Sequence, residues 1–276
     1  MSQLVLGTVQ FGLNYGINSA GHPDEETVKT ILSEAARHGI DLLDTSAVYG
    51  NSEEILSRCI TPDEKFNIVS KYPECKIAVG EMFNRSLNRL KVKRLYGYLL
   101  HHFSVFKNNP KVWEEFVALK ESGKVKKIGF SLYSPQELDY ILEQGTHFDL
   151  IQVPFNIFDK RFLPYFDELH DKGVEIHVRS TFLQGLFFKD RESLPEKLLP
   201  MRRYLLKLDD ISKESGLSIP GIALNYTLHN PAVDGVLIGV DNVEQLQMNL
   251  VSVNDTPIDI DIDVKEKELL NPVNWN

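Results

Sequence analysis

Four side chains in this sequence would be chemically potent if brought together: Asp44, Tyr49, Lys71 and His101. A phenol has a reference pKa of about 10 and keeps its proton at neutral pH. An ammonium beside it favours the phenolate and lowers that value. A carboxylate next to the ammonium keeps the lysine charged and oriented. An imidazole can hydrogen-bond a carbonyl oxygen and polarise it. Together they form a proton donor poised beside an electrophilic carbonyl. None of the four can supply a hydride, so a reductase built on them needs a cofactor.

The elements that must position them follow from an alternation along the chain. Eight short apolar runs rich in β-formers are separated by amphipathic helical stretches. The runs are Leu4 to Gly7, Ile40 to Asp44, Phe66 to Lys71, Leu95 to His101, Val125 to Ser131, Phe148 to Val153, Val174 to Ser180 and Val233 to Gly239. Among the helical stretches, one opens after Pro23 with acidic residues and ends before Gly39. Another opens on Ser134, Pro135 and Glu137, the residue types of a capping box. Strands alternating with helices imply a parallel sheet with helical crossovers. Eight of them in 276 residues predict an α/β fold, a (β/α)8 TIM barrel, as one domain over 1–276. Active sites in such barrels lie at the C-terminal ends of the strands. Four predicted strand ends carry Asp44, Lys71, His101 and Ser131, and a fifth carries Arg179 and Ser180. Strand alternation sets His101 on one face with Leu99 and Gly97, leaving His102 for the rim.

The sequence resembles the aldo-keto reductase family along nearly its whole length. The likeness is carried by LGTVQFG, GIDLLDTSAVYG, VSK at Ser70–Lys71, YLLHH, IGFS, IQVPFN, RSTFLQGL and LIGVDNVEQLQMN. It implies a barrel that binds an extended nicotinamide nucleotide without a Rossmann domain. It also implies that Tyr49 is the acid, Lys71 tunes it, Asp44 pairs with Lys71 and His101 orients the carbonyl. Gly7 and Thr8 fall on the cofactor side. Ser131, Gln152 and Asn156 match positions that hold the nicotinamide carboxamide. Arg179 stands where many members place an aromatic ring on the nicotinamide, and a guanidinium plane can stack there too. Ser180, Leu183, Gln184 and Gly185 match the pyrophosphate stretch, and Gly239, Gln245 and Asn249 the adenosine end. NADP(H) is the nucleotide the resemblance favours, with NAD(H) the alternative. The departure is at the adenosine end: Asp241 and Gln245 stand where NADP-binding members carry basic residues, and Met248 where an acid or amide is usual.

Plainer readings stand beside these. Asp44 and Lys71 make a structural ion pair in many proteins, and Tyr49 is one of ten tyrosines. No Cys/His cluster has zinc-ligand spacing, so no metal is expected. Cys75 reads as an inert thiol, and the tail IDIDIDVKEKELL as a surface strand or helix. A cofactor-binding regulatory or sensor module with little turnover is the alternative function, and a hydrolase with paired carboxylates a third. The latter needs a second acid at a strand end, and only Asp44 is clearly placed. The loops Val9–Tyr15, Phe103–Lys107 and Phe182–Leu194 are expected to shape a pocket lined by Phe11, Tyr15, Phe103, Phe106, Phe182, Phe187 and Phe188. The expected partner is a small-molecule carbonyl substrate, with a sugar derivative one candidate.

The formal net charge of −9 argues against nucleic acid or an anionic membrane as a partner. Two cysteines, Cys59 and Cys75, in a chain this long point to a reducing compartment. With no signal-like start and no bilayer-length apolar run, a cytoplasmic location is expected.

Overall fold

The computed structural model describes residues 3–18, 21–255 and 257–275. Eight parallel strands close into a barrel in chain order. They are β1 (Gln3–Gly7), β2 (Leu42–Asp44), β3 (Asn67–Tyr72), β4 (Leu95–Leu100), β5 (Val125–Ser131), β6 (Leu150–Pro154), β7 (Glu175–Arg179) and β8 (Gly235–Gly239). The fold is the expected (β/α)8 barrel. Closure is made by β1, whose Gly7 is in register with Asp44 on one side and Gly239 on the other. Strand limits differ from expectation by one or two residues: Tyr72 extends β3, while His101 and Ser180 fall just past their strands.

Side-chain parity explains how the barrel presents its chemistry. Val5, Leu42, Val69, Leu99 and Leu150 form an apolar cluster inside the barrel. Each stands two residues before Gly7, Asp44, Lys71, His101 and Gln152 respectively. Residues two apart on a strand share a face. The second set therefore makes the next layer up, at the C-terminal mouth. The apolar layer closes the barrel beneath it, as the packed interior of such folds requires.

The helices pack outside on the opposite faces of the strands. Helix Glu25–Arg37 buries Val28, Ile31, Leu32 and Ala35, a spacing of three and four that puts them on one stripe. Its start is capped by the Asp24 side chain, which accepts from the Thr27 N–H at 2.8 Å. Helix Pro135–Glu143 starts where Ser134 and Pro135 predict, and the Glu137 carboxylate accepts from the Ser134 N–H at 3.1 Å.

The acidic tail forms no strand, and only its end, Lys267–Leu270, turns into a short 3-10 helix. Residues 257–264 run extended without a partner strand, and Ile262 and Val264 are buried while Asp259, Asp261 and Asp263 are exposed. Alternation survives because the segment straps over a second apolar cluster that includes Phe187, Leu205, Leu208 and Ile222. That cluster also corrects the expected pocket: Phe187 lies in it, and Phe11 and Phe106 belong to the main core.

Candidate active site

Asp44, Lys71 and His101 converge at the barrel mouth, and the loop after β2 carries Tyr49 over them. Lys71 is fully buried. Its Nζ donates to Asp44 Oδ1 at 2.5 Å, to the Thr45 carbonyl at 2.9 Å and to Tyr49 Oη at 3.4 Å. Those three acceptors match the three protons of an ammonium. Gln152 Nε2 donates to the other Asp44 oxygen at 2.7 Å. The Tyr49 and His101 rings meet edge to face, 5.8 Å between centroids. The loop is pinned by glycine: a Cβ on Gly12 would stand 2.0 Å from the Tyr49 carbonyl oxygen, and Gly50 crosses Gly12 with φ +57. Only glycine permits that approach and that backbone region together.

His101 is buried and His102 is exposed. Ser46 Oγ lies 3.2 Å from His101 Nδ1 and also receives the Val48 N–H at 3.4 Å. The hydroxyl has one proton, which it can give to Nδ1. When the hydroxyl donates, the neutral ring carries its proton on Nε2.

Burial dominates the electrostatics. It drives Lys71 down from the usual lysine value, and the charge and hydrogen bond of Asp44 push it back up. Burial, joined by the Asp44 charge, holds the Tyr49 phenol well above its ordinary value, with Arg179 pulling the other way. With burial and the Asp44 charge acting together, the phenol stays protonated. Burial, then the charges of Lys71, His102 and Arg179, bring His101 down to about 2, so its imidazole is neutral.

A groove of about 490 Å³ opens at this mouth, within the range of small-molecule and cofactor sites. Tyr49, Asp44, Gln152 and Arg179 line it at one end, and Gly239, Asp241, Gln245 and Asn249 line it at the strand-eight end. Gly7, Thr8, Ser180, Gln184 and Gly185 line it as well. Ser131, Asn156, Leu183, Lys71 and His101 do not. Asn156 is occupied in shaping the backbone: its amide donates to the Ser180 carbonyl at 2.9 Å and accepts from the Phe158 and Asp159 N–H groups. Leu183 is buried in the second apolar cluster. The Arg179 guanidinium lies 4.1 Å above the Tyr133 ring and donates to the Leu132 carbonyl at 2.9 Å.

The loops after β1 and β7 are joined by hydrogen bonds beside the groove. Gln184, with φ +51, accepts the Ile17 N–H at 3.0 Å and donates from its amide to Tyr15 Oη at 2.7 Å. Asn18 donates to the Gly185 carbonyl at 2.7 Å. Tyr15, Phe182 and Phe188 supply the apolar walls.

Gln10, Tyr133 and Ser46 join the site without a clear signal in the sequence. Gln10 lines the groove with a buried Oε1 that has no hydrogen-bond partner. Its signal was position, two residues past Thr8 within LGTVQFG. Ser46 shares the DTSAVYG loop with Asp44 and Tyr49, but its contact with His101 spans 55 residues. Nothing in the sequence couples Tyr133 to Arg179. Among the described residues no cluster of His, Cys, Asp or Glu is arranged to hold a metal ion. No described helix is long and apolar enough to cross a membrane.

A closed eight-stranded barrel with a Tyr–Lys–Asp–His constellation at its C-terminal mouth defines a class of oxidoreductase that works without a Rossmann domain. The chain belongs to the aldo/keto reductase family, whose model matches residues 3–263. It is 26% identical to the NADH-specific methylglyoxal reductase of Escherichia coli, over 95% of this chain and 92% of that protein. It is 26% identical to L-galactose dehydrogenase of Arabidopsis thaliana, over 91% and 86% of the two chains. It shares the fold of aldo-keto reductase AKR11C1 from Bacillus halodurans in its holo form, with a TM-score of 0.74 at 21% identity over 97% of this chain and 90% of that one. Membership makes the protein an oxidoreductase of carbonyl chemistry.

Proposed function

We propose that the protein reduces an aldehyde or ketone with a nicotinamide nucleotide, reversibly with the alcohol, and that Tyr49 delivers the proton. The observation that carries this is the Tyr49 hydroxyl, held protonated by burial and hydrogen-bonded to an ammonium that is itself anchored on Asp44.

The groove suits a dinucleotide. It is long enough to run between two strand ends, and its wall holds the orphaned Gln10 oxygen, which a ligand donor would satisfy. Gln152, Arg179, Ser180, Gln184, Gly185, Gln245 and Asn249 are the residues that would hold it. The bound nucleotide supplies a hydride to the carbonyl carbon. The chain supplies the rest. The neutral His101 donates a hydrogen bond from Nε2 to the carbonyl oxygen. As charge gathers on that oxygen, Tyr49 gives it a proton, and the phenolate left behind is stabilised by Lys71. Asp44 and Gln152 keep the lysine aimed. Tyr15, Phe182 and Phe188 exclude water from the open side.

The substrate is a small carbonyl compound. The sugar-derivative reading draws support from the L-galactose dehydrogenase relative. The regulatory alternative draws on a relative named as a putative potassium channel subunit beta in Schizosaccharomyces pombe, 23% identical, but a pure sensor has no use for an ordered proton donor. A panel of aldehydes, ketones and aldoses assayed with wild type and Tyr49→Phe separates them. Turnover in the wild type, lost in a variant that still binds nucleotide, supports the enzyme. Binding without turnover across the panel supports the sensor.

A further inference from the structure

The groove ends where the chain leaves β8 at Gly239 and turns into the helix Val243–Ser252. A phosphate at such a turn would need free backbone donors or a cation. Two of the turn's backbone donors are already taken, and among the described residues that line the groove no cation stands beside it. The Asn242 side chain accepts the Gln245 N–H at 2.8 Å, and the Gln245 side chain accepts the Asp241 N–H at 2.8 Å. Both caps are closed within the turn itself. Among the described residues that line the groove the only arginine or lysine is Arg179, and it sits at the Tyr49 end, stacked on Tyr133.

What the turn does offer is a carboxylate. Asp241 lines the groove, and its Oδ1 is buried with no hydrogen-bond partner. A buried acceptor left unmade is costly, and it is satisfied by a donor such as a hydroxyl. It is worsened by a second anion. Burial raises Asp241 above the ordinary aspartate range, against a smaller opposing hydrogen bond from the Gln245 side chain.

We propose that Asp241 seats the unphosphorylated adenosine ribose of NADH, accepting a hydroxyl hydrogen bond at Oδ1, and excludes the 2′-phosphate of NADPH. This rests on the nicotinamide-dependent reading above and reverses the nucleotide preference that the family resemblance implies. A hydrogen bond to a charged acceptor discriminates by roughly 10- to 100-fold, and that is the margin expected for NADH.

The test is equilibrium titration of the full chain with NADH and, separately, NADPH, followed by quenching of tryptophan and tyrosine fluorescence. Wild type, Asp241→Asn and Asp241→Arg are compared. The isosteric Asn variant keeps the turn, and a thermal melt verifies that each variant is folded. In wild type NADH binds tighter by that margin. Asp241→Asn narrows the gap, chiefly by tightening NADPH, and Asp241→Arg inverts it. Equal affinities in wild type, tighter NADPH, or a gap indifferent to both substitutions overturns the role of Asp241. Failure of both nucleotides to bind overturns the nicotinamide reading itself, a separate and recognisable result.

Discussion

At the N-terminal end of the barrel, the Glu175 carboxylate of β7 accepts from His177 Nε2 at 2.6 Å and from Tyr96 Oη at 2.7 Å, and pairs with Lys127. At the C-terminal end, the Asp44 carboxylate of β2 accepts from Lys71 at 2.5 Å and Gln152 at 2.7 Å. Both are carboxylates with a lysine and a neutral donor, and their surroundings separate them. Burial alone would raise Glu175, but its donors outweigh burial and hold it at about 2. None of those four residues lines the groove. The lysine of the other network reaches on to Tyr49, whose side chain faces the groove. A network that ends on itself stabilises a barrel, while one whose last member faces a cavity can move a proton. That is the division expected between the two faces of this fold.

The sharpest test of that division is Tyr49→Phe. It removes the last member of the upper network without unpairing a buried charge. Turnover should fall on the order of 10³-fold, the range of a lost general acid, while the melting temperature and nucleotide affinity hold. A variant that lost both activity and nucleotide binding would show that Tyr49 is structural.

Lys71→Met reaches deeper. It leaves Asp44 buried without its cation, so stability should drop by roughly 3–5 kcal/mol, seen as a lower denaturant midpoint, and activity should fall too. Little change in the midpoint would mean that Gln152 alone sustains the carboxylate.

Glu175→Gln is the mirror experiment. It should cost about 1–3 kcal/mol of stability and leave nucleotide affinity and turnover unchanged. Its pH signature has a definite sign. The folded Glu175 value lies below the ordinary glutamate value, so its contribution is present above that ordinary value and lost as pH falls towards about 2. The stability gap between wild type and variant should therefore close on acidification through that window. Any change in turnover would break the comparison.

Ser46→Ala has the smallest expected effect, roughly five- to tenfold on turnover, the worth of one hydrogen bond. Its direct readout is the ¹⁵N signature of His101, which should lose its single Nε2–H tautomer, with Ser46→Thr restoring it. Because burial holds His101 near 2, the pH–rate profile of the wild type should carry no imidazole limb between about pH 5 and 8. A limb at the ordinary histidine value would show that His101 titrates in the working enzyme.

The strand pattern was legible because parity and periodicity are local. Alternation along Leu95 to His101 is enough to separate His101 from His102, and a Ser-Pro-x-Glu start is enough to open the helix at Pro135. The phenylalanines were less legible. Phe11, Phe106 and Phe187 belong to loops that fold into short helices, where one face turns inward, and sequence cannot say which face that is. The tail carries perfect two-residue alternation with no strand to pair with, because an apolar cluster built from distant segments substitutes for a sheet.

The sequence by itself determined the barrel, the order of its strands and the four side chains at its mouth. These follow from repeating hydrophobic patterns and from which residue ends each strand. Only the tertiary structure decided the protonation of that site and the engagement of the groove wall. Burial raises Tyr49, because desolvation depends on everything packed around the hydroxyl. Asn156 spends its side chain on the Ser180 carbonyl and on two N–H groups of its own loop. Asp241 was readable as an anion in the wrong place for a phosphate. That its oxygen is buried and unpartnered depends on where the caps of one turn place their own hydrogen bonds, and on no pattern in the chain.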